Sequence, residues 1–343
     1  MIVYINSDTC NWHLNEINES IPRTTNFNEF LSNSSYQKIS LLHVPFPYVN
    51  SFNDIVNQCI DNSNNVIILC SELHASTVEF ITKYKHPKIT YFINGFINNQ
   101  STKLWPDWFI TSTDFYKTNN VLTQLDPYSV KEKYFDILLG QRRTHRDIIY
   151  NGIKQLDLTP FVTMTYLTNH TIPLIAQPDW IWEPGTILPN YDFNHSVTMV
   201  NYYNYHLRLS QVIPIQIYNQ TAYSLVAETN CDNHYMFPTE KIVKPILGRR
   251  LFIVFSGCHY LKHLRNLGFK TFDGIIDESY DTIYNLQTRG QLILEQIKYL
   301  VNQDQLSILK QIQSITEHNY RVMIETNWSK EFTDELSFLM QRV

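Results

Sequence analysis

The chain opens on a short β-branched apolar run, Ile2-Val3-Tyr4-Ile5, and runs of the same kind return at 39–44, 66–70 and 89–93. Uniformly apolar runs this short suit strands buried on both faces, as in parallel sheets. Between them, 52–59 and 76–84 carry apolar positions at helical spacing, with Asn53 and Ser76 as candidate caps. Strand alternating with helix predicts a Rossmann-like sheet. The stretch 101–129 is less regular and is punctuated by Trp105-Pro-Asp-Trp108 and Asp126-Pro127, so a domain boundary is expected near 130. A second series follows: strands at 135–139, 161–166, 197–200, 224–227 and 251–255, with helices at 146–156 and 239–247. From Thr288 onward, Leu292, Ile293, Ile297, Leu300 and Val301 recur at helical spacing, as do Leu306, Leu309, Ile312 and Ile315. These stripes read as core packing. The expected organisation is α/β: Rossmann-like domains at 1–130 and 131–287, then a helical tail at 288–343.

Bulk properties narrow the function. Hydrophobic residues make up 43% and charged residues 17% of the 343 positions, enough apolar matter for two cores and too little charge for a disordered chain. The net charge is -5, which argues against a protein that coats nucleic acid, where a basic excess is the rule. The five cysteines, at 10, 59, 70, 231 and 258, are scattered and include no CxxC pair, so neither a zinc site nor a disulfide framework is expected. The start lacks a basic leader and no apolar stretch reaches the ~18 residues of a membrane span, which predicts a cytoplasmic protein.

Two segments carry candidate chemistry. In Tyr134-Phe-Asp-Ile-Leu-Leu-Gly140-Gln-Arg142-Arg143-Thr-His145-Arg146, an apolar strand delivers three arginines and a histidine as a helix begins. Helix N-termini and guanidinium forks both favour phosphate, although a solvated basic turn reads the same way. In the second segment, Tyr223-Ser-Leu-Val-Ala-Glu228 leads through a loop to Phe237-Pro-Thr239-Glu240-Lys241-Ile-Val-Lys244-Pro245. Thr239 is a natural N-cap. Glu240 either complements the helix dipole or accepts hydrogen bonds from ribose, and Lys241 either lies in solvent or neutralises phosphate.

Residues 223–228, Thr239-Glu240-Lys241 and the strand 251–255 resemble, in that order, the donor-binding segment of α1,3-fucosyltransferases. The Glu-Lys-x-x-Lys-Pro helix, Glu240 to Pro245, is also similar to exostosin-like and virus- or phage-encoded glycosyltransferases. The resemblance implies a GT-B enzyme, two Rossmann-like domains facing a cleft. It implies that Glu240 holds the donor ribose and Lys241 the pyrophosphate, with Arg142, Arg143 and Arg146 as alternatives for a further phosphate contact. The clear match covers 134–150 and 218–275. Tyr91-Phe-Ile-Asn-Gly95-Phe96 resembles the place where the family carries its catalytic glutamate, and here Phe96 stands in that position.

An acceptor proton needs a base, and strand ends are where to look for one. Asp8 follows the first strand, and Glu72 and His74 follow the third; each is equally a cap or a loop residue. No Asp-x-Asp triplet follows a strand and the acidic residues Asp273, Asp277, Glu278 and Asp281 lack calcium-loop spacing, so no metal or other cofactor is expected. The leading expectation is transfer of a sugar from a nucleotide diphosphate, GDP favoured and UDP possible, to a hydroxyl of a glycan or a hydroxylated DNA base. Two other classes compete: a non-catalytic nucleotide- or glycan-binding protein on the same scaffold, and a nucleic-acid binder that stacks bases on its many tyrosines.

Overall fold

The computed structural model describes residues 1–35, 37–44, 52–98, 101–167, 199–202 and 205–341. Its contacts divide the chain into two compact units, one of 1–110 with 327–343 and one of 111–326.

In unit 1, β1 (Ile2–Ile5), α1 (Asp8–Ile17), β2 (Arg23–Thr24), α2 (Phe27–Ser32), β3 (Lys38–His43), α3 (Asn53–Asn62), β4 (Asn65–Cys70), α4 (Ala75–Lys83), β5 (Ile89–Ile93) and the short β6 (Phe96–Ile97) and β7 (Lys103–Leu104) follow in order. Six of the strands form a parallel sheet in the order β2-β1-β3-β4-β5-β7. All four residues of β1 are buried, as are five of the six in β4. Helices on both faces require that pattern, which explains why these runs lack polar alternation. The helix starts differ from expectation. The N-cap positions fall on Phe52 and His74, whose side chains cap nothing, and Asn53 and Ser76 lie inside α3 and α4. Asn53 instead accepts a hydrogen bond from the Tyr84 hydroxyl through Oδ1 at 2.9 Å.

Helix α5 (Asp107–Thr118) contains the division between the units. Unit 2 continues with β8 (Lys133–Gln141), α6 (Thr144–Gln155), β9 (Val162–Leu167), β10 (Met199–Tyr202), β11 (Tyr205–Arg208), α7 (Ile215–Gln220), β12 (Thr221–Ala227), β13 (Tyr235–Met236), α8 (Glu240–Leu247), β14 (Phe252–Phe255), α9 (Tyr260–Asn266), α10 (Leu286–Val301) and α11 (Gln305–Glu325). Its four-stranded sheet is parallel, in the order β14-β12-β8-β9, and β12 is buried along its whole length. The strand expected at 197–200 lies partly outside the described residues, and its described part pairs antiparallel in the β10–β11 hairpin, away from the parallel sheet.

The tail does not form a third body, and the divisions fall at 110/111 and 326/327, where the pattern along the chain predicts 130 and 287. Packing explains the difference. Helix α10 lies against α6 so closely that a Cβ on Gly152 would meet Leu294 Cδ1 at 2.1 Å. Helix α12 (Trp328–Gln341) returns to unit 1, where Phe332, Leu336 and Met340 join Val3, Leu41, Leu69 and Phe92 in the core. Fully burying side chains of this size contributes ~1.5–3 kcal/mol each. Among the described residues no helix is long and apolar enough to cross a membrane.

Candidate functional site

In unit 2, β8, β12 and β14 are neighbours and parallel, so their C-terminal ends meet along one edge of the sheet. That edge gathers Gln141 at the end of β8 with Arg142 and Arg143 after it, Glu228 and Thr229 after β12, and Ser256, Gly257 and Cys258 after β14. Such an edge is where ligands of open α/β sheets bind.

Arg146, from the first turn of α6, ties two strand ends together. Its Nη1 donates to Gln141 O at 2.7 Å, and its Nη2 to Ala227 O at 3.3 Å and Glu228 O at 3.2 Å. Its Nε is buried with no hydrogen-bond partner, although the residue is only 3% exposed. Burial, reinforced by Arg143, lowers its pKa to about 10, so it remains charged at neutral pH. His145 is also buried and donates from Nε2 to Glu228 O at 2.9 Å. Burial and then the Arg146 charge lower its pKa to about 4, so it is neutral and helps to hold the end of β12.

Glu228 is wholly buried, and its carboxylate is fully engaged. Oε1 accepts from Thr239 N at 3.3 Å and Tyr260 Oη at 2.7 Å, and Oε2 from Thr239 Oγ1 at 2.6 Å and Thr229 N at 3.3 Å. Burial raises its pKa despite Lys241 and these donors. Glu228 therefore latches the end of β12 to α8 and α9 and has little capacity left for a ligand. Thr239 in turn caps α8, accepting from Lys241 N at 3.3 Å. Lys241 Nζ lies 2.7 Å from Glu240 Oε1 and 3.3 Å from the Thr229 and Thr239 hydroxyls. Burial alone would raise the pKa of Glu240, but Lys241 and Lys244 outweigh it and hold the carboxyl below its usual range.

The three arginine alternatives separate. Arg142 faces solvent and pairs with Asp147 at 3.2 Å. Arg143, half-buried at the N-cap position of α6, makes no side-chain hydrogen bond or ion pair among the described residues, yet its charge acts on Arg146, Cys231 and Tyr235. Tyr223 stands apart. It packs on Phe135 near the start of β12, and five residues at about 3.3 Å each separate it from Glu228.

Arg289, at the start of α10, joins this edge without having been expected there. It is 1% exposed. Nε donates to Ile283 O at 2.7 Å, Nη2 to Cys258 Sγ at 2.9 Å and Tyr284 O at 3.4 Å, Nη1 to Ser256 O, and Nη2 also to Asn233 Oδ1. All of these acceptors are uncharged. In sequence it is one arginine in an amphipathic tail, the only hint being its position in the first turn, where a cation opposes the helix dipole. The acidic stretch is structural: Glu278 accepts from Thr271 Oγ1 at 2.8 Å and Phe272 N at 2.6 Å, and Asp281 accepts from Leu261 N at 3.0 Å at the start of α9.

In unit 1 the three base candidates do not converge. Asp8 is exposed in the first turn of α1, behind the Ser7 cap. Glu72 and His74 pair with each other, Oε2 to Nε2 at 3.2 Å. Strand β3 separates β1 from β4, putting Asp8 and this pair about two strand spacings, roughly 10 Å, apart. Between them lies His43, the last residue of β3. Its backbone exchanges hydrogen bonds with the Asn6 amide at 2.9 and 2.7 Å, its Nε2 is 3.3 Å from Ser71 Oγ, and burial lowers its pKa. The rule that selected Asp8 and Glu72, a titratable group at a strand end, applies equally to His43. A cavity of about 550 Å³ in the same unit, lined by Asn53, Lys83, Tyr84 and His86 among others, contains none of the candidates.

Neither a scan against protein-family models nor a search of the curated proteins returns a match for this chain. The chemistry of the site rests on its own geometry.

Proposed function

We propose that the C-terminal edge of the unit 2 sheet binds the diphosphate of a nucleotide sugar, and that the chain is a glycosyltransferase. One observation carries the anion-binding step: Arg143, Arg146 and Arg289 surround the loop that follows β12, and none of them makes an ion pair among the described residues. Burying guanidinium charge without a counter-ion is costly, and a diphosphate offsets that cost while accepting forked hydrogen bonds. The nucleotide-sugar identity rests on the resemblance of Glu240 and Lys241 to the fucosyltransferase donor motif. In this reading Glu240 accepts from the ribose hydroxyls, and Lys241 turns from Glu240 toward phosphate.

During transfer, the acceptor hydroxyl oxygen bonds to the anomeric carbon and gives up its proton to solvent as the bond from that carbon to the phosphate oxygen breaks. The electron pair leaves with the nucleoside diphosphate, and positive charge fixed along the sheet edge stabilises it without a metal. The donor is a GDP- or UDP-sugar, and the acceptor is a hydroxyl of a glycan or of a hydroxylated DNA base. The five cysteines are all free thiols, which favours action in the reducing cytoplasm.

Phe96, standing where the family carries its base, favours a second reading: donor binding without transfer. Donor turnover separates the two. Incubating the protein with GDP- and UDP-sugars and a panel of glycans should release nucleoside diphosphate, and Glu240→Ala should abolish that release. Tight donor binding with no release under any condition would establish the binding protein instead.

A further inference from the structure

Tyr284 is 64% exposed, the largest value for any big apolar side chain in the described structure, yet its backbone is fixed from two sides. Asn233 Nδ2 donates to Tyr284 O at 2.8 Å, and buried Arg289 donates to the same oxygen and to its neighbour Ile283 O. Beside it, the His259 ring stands at 6.2 Å and 81°, so the two rings form a corner in which Tyr284 stays largely open to solvent. His259 is held in the left-handed region at φ 66, unusual for a residue other than glycine, and its N–H donates to Asp281 O at 2.7 Å. A strained residue and an exposed aromatic, both locked by buried groups, make a preformed surface for a flat ring.

The corner adjoins the anion site through one short loop. Asn233 touches Tyr284, and Arg289 of the anion site donates to both, to Tyr284 O at 3.4 Å and to Asn233 Oδ1; Tyr235, two residues on, feels the Arg143 charge. Two residues span at most about 7 Å, so Asn233 and Tyr235 stay close together. The loop is pressed against the end of β14, where a Cβ on Gly257 would meet Asp232 O at 1.9 Å, so this spacing is fixed.

We infer that Tyr284 and His259 are the nucleobase platform of the donor site, holding the base by stacking while Arg143 takes the phosphates. The inference rests on the nucleotide-diphosphate reading above and extends it to how the base is chosen. Stacking accepts the π-face of any base, so the platform selects by ring size: GDP and ADP bind more tightly than UDP, and a pyrimidine is not rejected.

Calorimetry with inorganic pyrophosphate, UDP and GDP on the full chain tests this. Tyr284→Ala should weaken GDP about tenfold, UDP less, and pyrophosphate not at all, whereas Tyr284→Phe should keep GDP close to wild type. Unchanged pyrophosphate binding also reports that the variant is folded. GDP binding as tightly to Tyr284→Ala as to wild type would overturn the platform and leave the phosphate site standing. So would a wild type that binds GDP no more tightly than pyrophosphate. A folded wild type that binds none of the three would remove both the platform and the donor reading.

Discussion

Two buried histidines contribute an acid-sensitive part of the stability. His13 is 1% exposed, enclosed by Trp105 and Phe332, and neither ring nitrogen has a hydrogen-bond partner; burial, with a smaller contribution from His43, lowers its pKa to about 4. His145 is lowered to about 4 in unit 2. Both are close to 6.5 when unfolded, so the unfolded chain takes up protons first as pH falls. Their contribution to stability is complete above about pH 6.5 and is lost progressively toward pH 4. Urea denaturation at pH 7 and pH 5 should show this loss, and His13→Leu should reduce the pH-dependent part; an unchanged acid slope in that variant would contradict the assignment. Glu228 gives a second residue-scale expectation. Its four acceptor contacts all come from N–H or hydroxyl groups, so Glu228→Gln turns an amide N–H₂ toward donors and should cost about 2–3 kcal/mol. A urea midpoint equal to wild type would refute the latch. At this scale the sequence was informative about which residue types matter and silent about their state: it marks Glu228 as a carboxylate ending a buried strand, not that every lone pair is already taken.

Helix α12 completes the unit 1 core although it lies at the far end of the chain. Phe332 packs against Phe92 at 5.2 Å and Trp105 at 5.8 Å, and Leu336 is wholly buried. Phe332→Ala should cost about 3–5 kcal/mol. Hydrogen exchange should place that loss in the amides of β1, β3 and β5, and unaltered protection there would show that α12 is not part of this core. Strands and helices were legible because β-branched runs and helical stripes are local signals. Where the tail helices dock was not legible, since an apolar stripe names no partner. The caps failed for the same reason in miniature: Asn53 and Ser76 have the right chemistry, but the turns place Phe52 and His74 at the N-cap positions of α3 and α4. Tyr223 and Glu228 looked like one motif, yet strand pitch carries them to opposite ends of β12.

For the whole molecule, two α/β units with parallel sheets provide strand ends as the natural places for chemistry, and at the unit 2 edge Arg143, Arg146 and Arg289 lack an ion-pair partner among the described residues. Arg143 and Arg146 were legible from their position after an apolar strand; Arg289 was not, because only the folding of α10 against α6 brings it to β14. The central claim is that this edge is a diphosphate site, and Arg143 is the most exposed of its three arginines without an ion-pair partner among the described residues. The most direct test is calorimetry of GDP against wild type and Arg143→Ala, with thermal melting as the check on folding. The account predicts that GDP binds wild type and that Arg143→Ala weakens it about tenfold, the effect of one charge-assisted phosphate contact, with Tm unchanged. Equal affinity in the two proteins, or no binding of GDP or UDP to folded wild type, would contradict it.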